Sequence, residues 1–398
     1  MHKSNRFIRY AVTILATLVM ISVAMIVQVS TRKEEKHIRI GYIYLADANN
    51  PYTYNFVKAQ RLIEETYGEQ VESFVEYNVL EGKEDEAIER LIAAGCDMIF
   101  GTSYGYGETL KEVAQKYPKI QFCAATLDNP TDPVVPNYHT FMDRVYEGRY
   151  ISGIVAGLKL QELISQRKLS ATDARIGYVA AFPHAEVISG YTAFYLGVKS
   201  IVPDATMKVK YTNAWSDYAL EKRAASELIE EGCVVIAQHS DTYGPAVACE
   251  ETTGDTLVYH VGYNQSMLEV APTTSLVSCR INWSPYMVAA VGAVLADEEI
   301  EAVQEATTYV QDACAGFDHD WVQMLELNEV IVPPETRALV DQYVEAFRKH
   351  PHSIFVGDYQ GQNPFDAEDV IDLSDGYEEN ASGSAPSFRY VLDDIVIE

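Results

Sequence analysis

Gly101-Thr102-Ser103-Tyr104-Gly105 spells G-x-S-x-G directly after an apolar run. That pattern presents a nucleophilic serine on a strand-to-helix turn. Acyl transfer there also needs a carboxylate and then a histidine later in the chain, and no spacing assigns a particular pair to Ser103. Ser103 has a counterpart, moreover. Leu91-Ile92-Ala93-Ala94-Gly95-Cys96 recurs as Leu228-Ile229-Glu230-Glu231-Gly232-Cys233. Each copy runs on through apolar residues to a serine and then Tyr-Gly: Ser103 with Tyr106-Gly107, and Ser240 with Tyr243-Gly244. The second copy lacks the motif, so a shared loop serine accounts for both better than a nucleophile does. Gly101, Gly105 and Gly107 suggest a phosphate cradle, but no Lys-Ser/Thr follows and two tyrosines interleave. The chain has no H-E-x-x-H and no P-loop, and its six cysteines show no C-x-x-C or metal-type spacing. No catalytic residue, metal or other cofactor is expected.

Binding chemistry is better represented. Tyr52 and Tyr54 follow one apolar strand-like run, and Tyr104 and Tyr106 follow another. Trp215 stands in a polar loop between Asn213 and Asp217, where it has little core to join. Asp241 follows His239 and Ser240 where a further apolar run ends. Facing aromatic planes with a carboxylate at the edge suit a flat, nitrogen-rich heterocycle: rings stack on its faces and the carboxylate accepts from its N–H groups. The candidate ligand-binding set is Tyr52, Tyr104, Tyr106, Phe182, Trp215, Asp241 and Asn264.

These residues need a scaffold that gathers loops. Arg39-Ile40-Gly41-Tyr42 recurs as Arg175-Ile176-Gly177-Tyr178, at nearly the offset of the Leu91 and Leu228 match. Two copies of one supersecondary plan follow. Ile38–Leu45 reads as a strand, and Tyr54–Tyr67 and Asp85–Ala94 as amphipathic helices. Gly95 and Gly232 close matching helices. Apolar strands separated by helices predict an α/β fold of two Rossmann-like lobes, their parallel sheets covered on both faces. Ligands then sit beyond the carboxyl ends of the strands. The loops to watch are 46–53, 102–107, 181–189, 212–217, 239–244 and 263–267.

Lobe one is expected over 37–142 plus about 282–330. Lobe two and hinge cover 143–281 plus part of 331–398, with crossings near Phe141, near Ile281 and between Val330 and Phe355. Residues 357–384 are rich in Asp, Gly, Asn and Ser and read as a surface excursion, and the tail from Phe388 should dock.

A chain of 398 residues with 48% hydrophobic and 22% charged content suits two globular lobes. The net charge of -28 repels nucleic acid, which is set aside as a partner. Residues 1–36 form a signal or membrane anchor. Lys3, Arg6 and Arg9 precede an uncharged run from Tyr10 to Val29, long enough to span a bilayer with the body outside. Cleavage after Ser22-Val23-Ala24 is the alternative. The cysteines at 96, 123, 233 and 279 lie in or beside apolar runs and read as buried thiols.

Several segments together resemble the basic membrane protein family of ABC-transporter substrate-binding proteins, closest to its purine-binding branch. They are Met142-Asp143-Arg144-Val145-Tyr146-Glu147-Gly148-Arg149-Tyr150, Ala181-Phe182-Pro183 through Gly190, and Ile236-Ala237-Gln238-His239-Ser240-Asp241-Thr242. Asn282-Trp283-Ser284-Pro285-Tyr286 and Phe355-Val356-Gly357 also fit. The resemblance implies the type I periplasmic-binding fold with a multi-strand hinge. It implies a purine base or nucleoside as ligand and an ABC permease as partner. It implies that Tyr52 and Trp215 hold the ring while Asp241 reads its edge. Tyr52 stands where the branch usually has tryptophan. The nucleoside branch's Asp/Phe/Asn cluster after the first strand is absent, which weighs against a ribose-bearing ligand. A sensory ectodomain working through a separate signalling partner is the alternative role.

Overall fold

In the computed structural model, residues 36–127, 133–350 and 354–398 are described, and Ile38–Glu398 form one compact unit. The apolar run predicted as an anchor lies outside the described residues. Among the described residues no helix is long and apolar enough to cross a membrane.

The first half of the chain alternates strand and helix. Strand β1 (Ile38–Ile43) leads through α1 (Pro51–Tyr67) to β2 (Val71–Glu76), and α2 (Glu84–Ala93) leads to β3 (Met98–Gly101). Helix α3 (Gly107–Lys116) then leads to β4 (Gln121–Ala125) and on to β5 (Tyr138–Asp143). The chain crosses into the second half at α4 (Val145–Ser165), followed by β6 (Arg175–Ala180), α5 (Ala185–Lys199) and β7 (Thr206–Tyr211). Next come α6 (Tyr218–Glu230), β8 (Val235–His239), α7 (Gly244–Glu250), β9 (Tyr259–Tyr263) and β10 (Ser275–Ile281). The first sheet contains the order β5-β4-β3-β1-β2 and the second β10-β9-β8-β6-β7, all parallel within these runs. The two orders are one permutation, so the internal repeat is a repeat of topology. Gly95 and Gly232 close α2 and α6 with φ of 80° and 85°, values an L side chain resists.

The remaining chain completes both sheets. Helix α8 (Ser284–Ala296) packs on α1. Strands β11 (Thr307–Tyr309) and β12 (Asp312–Ala315) extend the first sheet beyond β5, and β13 (Val322–Met324) extends the second beyond β10. The third crossing is therefore the turn between Ala315 and Val322, earlier than the predicted Val330–Phe355. That later stretch carries α9 (Thr336–Lys349), which packs on α4. The expected surface excursion holds an antiparallel hairpin of β14 (Gln360–Asn363) and β15 (Asp366–Asp372), and β16 (Val391–Leu392) from the tail pairs antiparallel with β14 to make a small sheet. It is fixed by buried Glu379, whose carboxylate accepts from the N–H groups of Ser387 and Phe388. The tail docks as expected, with β17 (Ile395–Ile397) pairing parallel to β7.

This fold aims the site. In a 2-1-3-4-5 order the chain turns to opposite sides after the first and third strands, leaving a crevice at their carboxyl ends. The loops after β1 and β3 therefore face those after β6 and β8. All six cysteines are free and buried, several in the cores on either side of these sheets.

Candidate functional site

Asn50 fixes the first loop. Its side-chain oxygen accepts from the N–H groups of Tyr52 and Thr53, capping α1, and Pro51 occupies the first turn. Tyr52 is thereby locked at the helix start. Its hydroxyl donates to the Thr102 carbonyl at 2.7 Å, and its ring lies edge-on to Phe56 and Trp283. One side of the ring is left to the crevice.

On the second lobe, Asp217 caps α6 and closes the loop that carries Trp215. Phe182 backs Trp215 with ring centroids 5.2 Å apart. The Trp215 carbonyl accepts from the Asp241 N–H at 2.8 Å, which ties the two loops together.

Tyr52, Tyr104, Trp215 and Asp241 line one pocket, with Ser103, Thr126, Glu186, His239 and Tyr263. The cavity left between them is small, about 30 Å³. A wider, open groove lies outside it and shares Leu45, Trp215 and Asp241. The lobes touch around the pocket. Tyr104 stacks on His184 at 5.2 Å, and the Asn50 amide donates to Ser216 Oγ and to the Asp241 carbonyl, each at 3.1 Å. Asn55 of α1 donates to the Asn264 carbonyl at 3.0 Å.

Three candidates stand elsewhere. Tyr106 is fully buried in the core, its hydroxyl on the Val79 carbonyl, and takes no part in the pocket wall. Phe182 and Asn264 stand behind the wall. Asn264 adopts φ of 65° and extends its amide toward Asp241 at 3.5 Å.

The floor is acidic. Burial, then Glu221 and Glu186, push the Asp241 carboxyl well above the usual carboxylate range. Burial and Glu186 do the same to Asp143, which is fully buried outside the pocket lining and whose oxygens lie near the N–H groups of Asp143 and Val145 without a well-formed hydrogen bond. Arg149 lies over the Tyr263 ring at 3.7 Å and donates to the Gln238 carbonyl. His239 contacts Glu186 at 3.3 Å, yet burial, then Arg149, hold it down to about 4, so the ring is neutral near pH 7. A ligand bringing N–H donors to Asp241 favours its ionised form and so draws its proton affinity back down. The Ser103 hydroxyl donates to Glu81 at 2.7 Å, which gives that serine a structural task.

The family model described as Bmp, ABC transporter substrate-binding protein PnrA-like, matches residues 48–338. The chain belongs to this family. A purine-binding protein of Brucella abortus is 31% identical over 83% of this chain and 86% of its own length. A putative ABC transporter glucose-binding protein of Haloferax volcanii is 30% identical over 64% of this chain and 60% of its own. Among solved structures, a solute-binding protein of Aeropyrum pernix superposes with a TM-score of 0.64 at 14% identity, covering 79% of this chain and 92% of that one. One of Conexibacter woesei gives 0.58 at 17% identity, over 78% and 96%. These likenesses establish the type I two-lobed fold. Bmp-family proteins are extracytoplasmic binding proteins that serve permeases, not enzymes.

Glu186, His239 and Tyr263 were missed as individuals, although each falls inside a loop flagged from the strand pattern. Thr126 follows β4, which was not flagged. It holds φ of 71°, an uncommon value for a β-branched residue, beside the pocket.

Proposed function

We propose that the cleft captures a purine base of the adenine type and that the chain delivers it to the permease of an ABC importer. The observation that carries this reading is that Tyr52 and Trp215 come from opposite lobes and share one pocket wall with Asp241. Two aromatic faces and an acidic edge match a flat ring bearing N–H donors. Asp241 at the pocket wall offers an acceptor to an exocyclic amine, which favours an amino-substituted base. The name of the Brucella relative points the same way. Titration calorimetry with adenine, hypoxanthine, adenosine and glucose tests the reading. Adenine should bind tightest. Absence of adenine binding up to about 1 mM, the scale of a negligible affinity, overturns it, and binding of glucose instead makes the site a sugar site.

The same reading keeps residues 10–29 in the mature chain as an anchor, which raises the concentration of binder near its permease. Amino-terminal sequencing of the membrane fraction checks this. A mature chain that starts near Met25 and is free of the membrane overturns it.

A further inference from the structure

Glu221 stands in the first turn of α6, fully buried and outside the pocket wall. Its Oε2 accepts three hydrogen bonds: Ser240 Oγ at 2.8 Å, Thr242 Oγ1 at 2.7 Å and the Thr242 N–H at 3.2 Å. Its Oε1 accepts from the Asp217 N–H at 3.2 Å. One carboxylate therefore ties the loop bearing Asp241 to the loop bearing Trp215. Gln238 completes the grip from the other side. Its amide donates to the Ser240 and Thr242 carbonyls at 2.9 and 2.8 Å, and its oxygen meets His260 Nε2 at 2.9 Å. Ser240 and Thr242 thus donate to Glu221 and their carbonyls accept from Gln238, while the Asp241 N–H goes to the Trp215 carbonyl, which leaves the Asp241 side chain aimed from a fixed backbone.

We propose that Glu221 is the positioning residue of this site: it holds Asp241 and Trp215 in the geometry that grips the ligand without touching the ligand itself. The assignment rests on the reading that those two residues bind the ligand. The chemistry is specific. Converging hydroxyl and N–H donors need an acceptor oxygen, and an apolar side chain leaves them buried and unpaired. The first half also ties its serine to a glutamate, but from a different position: the residue in register with Glu221 is Glu84, which accepts from Thr109 Oγ1 at 2.6 Å. Glu81 accepts from Ser103 Oγ at 2.7 Å and the Gly105 N–H at 2.8 Å, bracketing Tyr104. Glu81 is exposed at the groove, whereas Glu221 is sealed. Both serines of the repeat thus donate to a glutamate, although the two glutamates occupy different positions in their halves.

The test uses the full chain. In hydrogen–deuterium exchange without ligand, Glu221→Ala should speed exchange in peptides spanning 238–243 and 213–218 and leave β1 and β3 as in the parent. Unchanged exchange in both peptides overturns the proposal. In adenine titrations Glu221→Ala should weaken binding about ten- to a hundredfold, as loss of an acceptor for several donors implies. Glu221→Gln keeps an acceptor oxygen and should recover most of that loss. In an Asp241→Asn background the Glu221→Ala effect should shrink by the share that acts through Asp241 and keep the share that acts through Trp215, because a residue acting through another is non-additive with it. Full additivity overturns the proposal. If Glu221→Ala does not fold, Thr242→Val releases the same turn from its other end and is read in the same two ways. If the parent does not bind adenine, the purine reading fails alone, and the exchange result decides Glu221.

Discussion

Tyr104 and Tyr106 show what a loop residue's neighbours decide. Both lie in the turn after β3, and the sequence offers no reason to separate them. The turn between β3 and α3 points them apart: Tyr104 stays about half exposed and stacks on His184, while Tyr106 is drawn under α3 onto the Val79 carbonyl. Trp215 was legible because a tryptophan in a polar loop has no core to fill, and it does face the pocket. Glu186 and His239 were not, since carboxylates are too plentiful in this chain to single one out and a histidine at a strand end is common. The two legible residues carry a residue-scale expectation. Trp215→Ala removes one stacking face, worth roughly 1–3 kcal/mol per base, and should weaken adenine binding about tenfold or more. Asp241→Asn swaps one acceptor oxygen for a donor and should cost adenine more than a purine lacking the exocyclic amine. Calorimetry on both variants checks this. A Trp215→Ala protein that binds as tightly as the parent removes the stacking role.

At the scale of elements, the paired halves were legible because each strand is a short apolar run and each helix has its own period and closing glycine. The third crossing was not. Strands β12 and β13 span only 4 and 3 residues, too short for a periodic signal, and the turn between them carries a lone Gly316 and no proline. What fixes that turn is tertiary. Arg144, at the first crossing, pairs with Glu147 at 2.8 Å and with Asp318 of the third crossing at 2.6 Å. Glu147 also accepts from the Phe317 N–H at 2.9 Å. The Asp143–Arg149 segment that carried the family resemblance is thus partly explained by the hinge: it staples two crossing strands side by side, so that the lobes can pivot on a shared axis. The small C-terminal sheet was read as a loop because its residues are polar on both faces, and such strands lack the alternation that marks a half-buried sheet.

For the molecule as a whole, buried carboxyls set the response to pH. Burial pushes Glu147 and Glu221 up to about 7, against hydrogen bonds and, for Glu147, the Arg144 charge that pull the other way. Unfolded, each would release its proton near 4.3. Between those values the folded state holds more protons than the unfolded one, so stability falls as pH rises through that window. Asp143 and Asp241, also raised, act in the same direction. Burial holds His239 and His260 down to about 4 and about 3, and these two oppose the trend once the unfolded chain begins to take protons below about pH 6.5. The raised carboxyls outnumber them. The net charge of -28 adds self-repulsion that grows as protons leave. The ligand-free protein should therefore unfold at a higher temperature at about pH 6 than at about pH 8, by a few degrees, since roughly 1 kcal/mol moves the midpoint about 2–4 °C in a protein of this class. Well below pH 4 the order should reverse as Glu231, held down to about 2 mainly by Lys208 and Lys210, loses its charge. Scanning calorimetry at three pH values measures this. Glu147→Gln and Glu221→Gln should each flatten the slope between about pH 6 and 8, because an amide takes up no proton. A midpoint that rises with pH across that interval, or a slope unchanged in both variants, would mean that these carboxyls stay ionised in the fold and that burial does not govern their charge.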